Sequence, residues 1–293
     1  MAGSVLTKGQ ITLRRATPSD ADECGRIFFD AFSAIAKKHN FPVEPSSPQF
    51  TAWKVADMLG NPGFYGAVAE QDARVVGSIF MDERSSIVGL GPLTVDPEAQ
   101  DQGVGRLLMR HALARSAERS AVGVRLVQTA YHYRSLALYA SLGFQVREFL
   151  SVMQGHLRDA AAPRWPTRQA TPADLGACAA LCSKVHGHER RIELGEAISA
   201  GTARVIERDG SLTGYATGFG YGWHAVARTN DDLIALLGSA DDFAGLGILV
   251  PSRNSDLLQW GLANGLRVVQ QSTLMTLGLY SEPDGAYLPS ITF

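Results

Sequence analysis

The chain reads as an α/β protein, layered in the α+β manner, in which two mixed central sheets, each flanked by helices, follow one another in tandem. Three observations carry this. At 293 residues the chain is long for one core and comfortable for two. Short β-rich runs alternate with amphipathic helical stretches, a pattern that suits helices packed on a sheet. The chain also repeats itself. Arg14-x-Ala16-Thr17-Pro18-x-Asp20-x-x-x-Cys24 recurs as Arg168-x-Ala170-Thr171-Pro172-x-Asp174-x-x-x-Cys178, at a constant offset (18 + 154 = 172). Each copy makes the same local sense, with threonine as helix N-cap, proline in the first helical position and aspartate in the first turn.

In the first copy the pattern predicts a strand at 11–15, a helix at 18–38, a proline-bearing loop at 42–48 and a helix at 49–59. Strands at 64–69, 74–82 and 86–95 follow, then helix 103–119, strand 123–130, helix 134–142 and strand 144–154. The second copy predicts strand 166–170, helices 173–186 and 191–199, and strands 203–208, 212–219 and 222–228. It closes with helix 231–238, strand 245–249, helix 254–264 and strand 266–279. The expected division is a domain at 1–157, a short proline-containing linker at 158–164 and a second domain at 165–293, whose apolar C-terminal tail docks on the same chain or on a partner.

The chemistry concentrates where strand 86–95 meets helix 103–119. The run Leu93-Thr94-Val95-Asp96-Pro97-Glu98-Ala99-Gln100-Asp101-Gln102-Gly103-Val104-Gly105-Arg106 is a strand that breaks at a proline, a polar turn, and a helix with two glycines at its start. Glycines there let backbone N–H groups approach an anion, and the helix aims its unpaired N–H groups and positive dipole end at the same place. Gly-x-Gly by itself fits a plain tight turn equally well. The fuller spelling, Gln100-x-x-Gly103-x-Gly105 after a strand end, resembles the acyl-coenzyme-A signature of the GCN5-related N-acetyltransferases (GNAT). A second stretch in the right order, His132-Tyr133-Arg134-Ser135-Leu136-Ala137-Leu138-Tyr139-Ala140-Ser141-Leu142-Gly143-Phe144, resembles the family's Leu-Tyr-x-x-x-Gly-Phe ending.

The resemblance covers roughly residues 11–155. It implies transfer of an acetyl group from acetyl-coenzyme A, as co-substrate, to an amine, with Tyr139 protonating the departing thiolate. Backbone groups of Leu93, Thr94 and Val95 would then pair with the pantetheine arm. Gln100, Asp101, Gln102, Gly103, Val104, Gly105 and Arg106 would hold the pyrophosphate, with His132 and Ser135 as further coenzyme contacts. The family commonly has an asparagine seven residues before the tyrosine, where this chain has His132, which can donate to a pantetheine carbonyl, act as a base or be structural. The base is the least legible part. Relatives often carry a carboxylate on the fourth strand, where this chain has Gly89. Asp82 and Glu83 are the nearest acidic candidates, with a solvated hairpin turn beside Arg84 as their other reading, and a water chain could remove the proton instead. Acceptor choice in the family usually lies between the first two helices, here Lys37 to Pro45.

The second copy lacks these features. Arg228-Thr229-Asn230-Asp231-Asp232 replaces the glycine turn, with carboxylates that would repel a pyrophosphate, and Gly261 stands opposite Tyr139. A degenerate, structural domain is expected. The net charge of −2 and 19% charged residues give no electrostatic case for nucleic acid or an anionic membrane. The first ten residues lack the apolar core of a signal peptide, and a cytoplasmic protein is expected. Three cysteines without a C-x-x-C pair point to core residues, and His186-Gly187-His188 reads as a polar helix end, so no metal is expected. The function so read is N-acetylation of a small-molecule amine by direct transfer. Its alternatives are a non-catalytic acyl-coenzyme-A sensor and an acetyltransferase for protein lysines or N-termini. A homodimer is left open.

Overall fold

The computed structural model describes residues 9–43, 46–158 and 165–292. Most of the linker, the first eight residues and two residues of the acceptor-loop reading, Glu44 and Pro45, lie outside them. The chain forms two compact units. One holds the residues up to Glu83 with Leu90–Ala121, and the other holds Arg84–Gly89 with the residues from Val122 on. This division does not follow the expected domain boundary at 158–164, for a reason that lies in the pairing of strands.

In the first unit, β1 (Thr12–Arg15) leads through a 3-10 turn at Pro18–Asp20 into α1 (Ala21–Lys38) and α2 (Pro48–Gly60). β2 (Phe64–Gln71), β3 (Arg74–Asp82) and β4 (Ile87–Val95) follow, and α3 (Val104–Glu118) closes the unit. The strand order is β1-β2-β3-β4. α1 buries Ala21, Cys24 and Ile27 at helical spacing, and Ala21 and Cys24 build one core with Ala16, Val55, Met58, Val68 and Phe80. Burying a side chain such as Phe80 contributes roughly 2–3 kcal/mol.

The N-terminal end of β4 belongs to the second unit, where it pairs parallel with β5 (Gly123–Thr129) over Ile87–Gly89 and Gly123–Arg125. α4 (Tyr133–Ser141) and β6 (Gln145–Gln154) come next, then β7 (Thr167–Gln169), α5 (Leu175–His186) and α6 (Arg191–Ser199). β8 (Arg204–Arg208), β9 (Ser211–Ala216), β10 (Ala225–Ala227), α7 (Asn230–Leu237), β11 (Ile248–Pro251), α8 (Ser255–Ala263), β12 (Arg267–Gly278) and β13 (Ala286–Leu288) complete the chain.

From β4 onward one sheet runs β4-β5-β12-β6-β11, and a second runs β13-β10-β9-β8-β7. β12, from the second copy, inserts between β5 and β6 of the first. β6 in turn lies between β12 and β11 of the second. Each copy therefore lends a strand to the other, β6 from the first and β12 from the second. The register is self-complementary: with equivalent positions 122 apart (145 + 122 = 267, 154 + 122 = 276), Gln145↔Thr276 maps onto Arg267↔Gln154. This exchange explains why β5, α4 and β6 group with the second copy.

The repeated motif also explains itself. Arg14 grips Asp20 with two bonds of 2.8 and 2.7 Å, and the Thr17 N–H donates to the same carboxylate at 2.7 Å. Arg168 grips Asp174 with two bonds of 2.8 Å, and the Thr171 N–H donates at 2.7 Å. Cys24 and Cys178 are fully buried core residues in both copies.

Candidate functional site

β4 ends at Val95. Asp96 then accepts from the Glu98 N–H at 3.0 Å and starts a 3-10 turn over Pro97–Ala99. The glutamine side chains brace the turn from within, Gln100 Nε2 donating to the Val95 carbonyl at 3.4 Å and Gln102 Nε2 to the Glu98 carbonyl at 3.2 Å. Asp101 has φ +64° and Gly103 φ +84°, so the chain turns through the left-handed region that glycine adopts without strain. Gly103 is the N-cap of α3 and no side chain caps the helix. A Cβ built on Gly103 meets nothing within 4 Å, so the space beside the helix start is open, and the N–H groups of a helix's first turn have no partner within the helix. Gly77 fixes the height of this end, because a Cβ there would fall 2.8 Å from the Thr94 carbonyl and 3.1 Å from Val104. Thr94 is buried and exchanges a 3.0 Å hydroxyl bond with Ser78, while Leu93 and Val95 stay half-buried. Beyond Gly89, no strand among the described residues pairs with the β4 edge opposite β3. Pro92, which has no N–H to donate, suits such an edge.

The other residues singled out by sequence lie on the turn into α4. The buried Gln128 holds that turn, its Nε2 donating to the Thr129 carbonyl, to the His132 carbonyl at 3.0 Å and to Ser135 Oγ at 3.1 Å. The Ser135 hydroxyl donates to the His132 carbonyl at 2.8 Å. His132 is the N-cap residue of α4, with a half-buried side chain. Tyr139 sits one turn from the helix end with its ring centroid 6.1 Å from that of Phe144. Burial pushes its phenol up to about 12, so the hydroxyl is protonated throughout the physiological range.

Glu83 is not part of a solvated hairpin turn. Its carboxylate takes two bonds from Arg115, at 2.6 and 2.9 Å, with Arg119 at 3.3 Å, and Asp82 beside it is buried. Arg115 lies 3.7 Å from the Tyr65 ring centroid, and the Tyr65 hydroxyl bonds His111 Nε2 at 2.9 Å. Glu83, Arg115, Tyr65 and His111 thus form one chain of polar contacts. It joins β2, the end of β3 and α3, and no local motif announces it.

The equivalent end in the second copy is built differently. Thr229 caps α7, its hydroxyl oxygen accepting from the Asp232 N–H at 3.3 Å, and Asp232 is fully buried against Arg208 at 2.7 Å and the Thr213 hydroxyl at 2.9 Å. The far edge of β10 is filled by β13, antiparallel, with Ala225 opposite Leu288. The apolar tail therefore docks on its own chain. Gly261 packs under Met153, whose Cε would lie 2.9 Å from an added Cβ, so a larger side chain there would displace Met153. His186 ends α5 with Gly187 as its C-cap, the helix end read from the sequence, and it is packed inward, His188 being buried and the His186 ring 4.9 Å from that of Tyr287. Among the described residues no group of three or more His, Cys, Asp or Glu is placed to hold a metal, and no helix is long and apolar enough to cross a membrane.

The glycine-capped start of α3 and, later in the chain, the tyrosine-bearing α4 carry the two motifs by which the sequence resembles GNAT acetyltransferases. The family model for the acetyltransferase (GNAT) domain matches residues 62–146, and the chain carries such a domain. A curated relative, the ribosomal protein bS18-alanine N-acetyltransferase of Salmonella typhimurium, is 29% identical over 114 residues, covering 36% of this chain and 74% of its own. Two solved structures share the fold along nearly the whole chain. A putative acetyltransferase from Pyrococcus horikoshii has a TM-score of 0.68 at 19% identity, covering 97% of this chain and 94% of its own. A GCN5-related N-acetyltransferase from Sphaerobacter thermophilus has a TM-score of 0.63 at 15% identity, covering 94% and 97%.

Proposed function

We propose that the chain is an acetyl-coenzyme-A-dependent N-acetyltransferase that binds the coenzyme once, through the first copy, and acetylates the amine of a small molecule by direct transfer. The observation that carries this is the uncapped start of α3, with Gly103 at φ +84° beneath open space. The residues fit the group. Backbone N–H groups from Gly103 to Arg106 suit a pyrophosphate, and the free edge at Leu93–Val95 suits the amide-bearing pantetheine arm. Acetyl-coenzyme A supplies the activated acetyl thioester. The chain's own residues then have three tasks: to hold the coenzyme, to exclude water, and to meet the charge that develops on sulfur as the amine attacks. By family resemblance the last task falls to Tyr139 Oη. Its phenol, at about 12, is a weaker acid than a thiol near 8.5, so complete transfer to a thiolate is uphill by roughly 5 kcal/mol. Tyr139 is therefore best described as a hydrogen-bond donor to the developing thiolate, completing transfer only as the amine sheds its own proton.

Glu83 is engaged on both oxygens by Arg115, which fits an anchoring role better than that of a mobile base. Loss of the amine proton through water remains the simplest route. The division at 158–164 belongs to this proposal as a boundary between duplicated units that have since exchanged strands β6 and β12. With the tail docked on its own chain, its apolar end gives no reason of its own for a homodimer.

The bS18-alanine relative favours a second reading, a protein N-terminus as acceptor. A screen of amines and N-terminal peptides with detection of released thiol tests both. Turnover on small amines supports the proposal, turnover on peptides alone supports the second reading, and binding without turnover points to a sensor.

A further inference from the structure

Arg26 is an exposed arginine of α1 that no motif announces, yet it reaches across 70 positions to the turn proposed to hold the coenzyme. Its Nη2 donates to Asp96 Oδ2 at 3.0 Å. The rest of the fork is held on α1 itself, by Glu23 at 2.7 and 3.0 Å one turn earlier and by Asp30 at 2.7 Å one turn later. Asp96 is half-buried. Its N–H donates to the Val76 carbonyl at 2.9 Å, its Oδ1 accepts from the Glu98 N–H at 3.0 Å, and its carbonyl accepts from the Ala99 N–H at 2.8 Å. Asp96 therefore ties together β3, the 3-10 turn and α1.

The contact leads on to the glycine turn. From Asp96 it passes to Glu98, whose carbonyl accepts from Gln102 Nε2 at 3.2 Å, and Gln102 directly precedes Gly103, the N-cap of α3. On its other side Arg26 stands on a firmly seated stretch of α1, where Cys24 and Ile27 are fully buried. A Cβ on Gly25 would fall 2.4 Å from the Ala52 Cα, and the Thr51 hydroxyl donates to the Gly25 carbonyl at 2.7 Å, so α1 is pressed against α2 here. An ion pair between two mobile surface side chains contributes little, because both must be ordered to form it. Here Glu23 and Asp30 already hold the guanidinium, so most of the entropy cost of aiming it at Asp96 is met within α1.

We infer that Arg26 is a positioning residue for the coenzyme turn. It holds the Asp96 carboxylate where that carboxylate starts the 3-10 turn, and it offsets a negative charge in the segment that an anionic group is proposed to meet. The inference rests on the proposed coenzyme site and adds to it a contact from α1, which the Gln100-x-x-Gly103-x-Gly105 signature does not contain. Arg26 acts through Asp96 and not on the coenzyme itself.

The test is calorimetric titration of the full chain with coenzyme A, alongside amide hydrogen exchange without ligand. Arg26→Gln is expected to bind coenzyme A about fivefold more weakly, the upper end for a partly exposed ion pair, and to lose exchange protection at the Glu98 and Ala99 amides. Arg26→Lys keeps the charge but not the fork and is expected to return to within about twofold of the wild type. On an Asp96→Asn background, Arg26→Gln is expected to weaken binding by less than about twofold further, because the partner charge is already gone. Asp30→Asn removes a contact that Arg26 makes within α1 and is expected to bind coenzyme A no more weakly than the wild type. Equal losses in Asp30→Asn and Arg26→Gln would make Arg26 a brace of α1 alone, and that result overturns the inference. Wild-type affinity in Arg26→Gln, while Gly103→Glu fails to bind, also overturns it and leaves the coenzyme site standing. Undiminished binding by Gly103→Glu overturns the site itself, and this inference with it.

Discussion

Replacing Tyr139 by phenylalanine separates chemistry from binding. The ring that packs 6.1 Å from Phe144 is retained, so the helix and its surroundings are expected to stay as they are. Under the proposed role, what is lost is one donor to charge that appears only as the carbon–sulfur bond breaks. Removing such a donor costs roughly 3 kcal/mol of transition-state stabilisation, about 10²-fold in kcat. The coenzyme dissociation constant is expected to change less than twofold, because the ground-state thioester sulfur accepts little from a phenol. Since burial holds the phenol near 12, the donor is present below that pH and is lost only as pH rises through it, so Tyr139 contributes no alkaline limb to kcat below about pH 11. Single-turnover thiol release under saturating acceptor reads the chemical step, and calorimetry reads coenzyme affinity. A phenylalanine variant that turns over at the wild-type rate while chemistry is limiting refutes the donor role. A large loss of coenzyme affinity would instead show the hydroxyl to be part of the binding surface.

Gly103→Ala forces a Cβ into φ +84° and is expected to cost about 1–2 kcal/mol in urea denaturation. Gly103→Glu should in addition abolish coenzyme binding by placing a negative side chain over the helix end. Arg14, followed by burial in opposition and the Thr17 bonds, holds Asp20 at about 2 against a normal 3.8, so its contribution is fully present above pH 4 and is lost as pH falls toward 2. Asp20→Asn is therefore expected to be about 2 kcal/mol less stable at pH 7, with the gap closing by pH 2 in urea midpoints. Glu83→Gln, which loosens Arg115, should lower Tm while leaving the pH profile of kcat/KM unchanged; loss of its acidic limb would make Glu83 the base. Truncation before Ser281 uncovers the β10 edge and should lower Tm without creating a second coenzyme site, because Thr229 still caps α7.

Local patterns were legible in the sequence and distant pairings were not. Alternation fixed β3 at Arg74–Asp82 and helical spacing fixed α6 at Arg191–Ser199, each as expected from the residues alone. The repeated Arg, Thr and Asp of the capping motif announced the two helix starts, and the structure adds the reason, a bidentate Arg–Asp grip in each. The exchange of β6 and β12 was hidden, because each strand has the same apolar pattern whichever copy it pairs with. β13 escaped notice because three residues after a run of Pro, Asp and Gly carry too little periodicity to register. At the candidate site the glycine turn and Tyr139 carry sequence signatures. Gln128, Tyr65 and His111 do not, since their roles come from contacts between separate elements. Glu83 looked like a turn residue because Arg115 and Arg119 lie more than thirty positions away.

The central claim is a single coenzyme site at the glycine-capped start of α3, and the most direct measurement is calorimetric titration of the full chain with acetyl-coenzyme A. The account predicts one equivalent bound per chain, with binding lost in Gly103→Glu. Two equivalents, or one equivalent bound with unchanged affinity by Gly103→Glu, would contradict it.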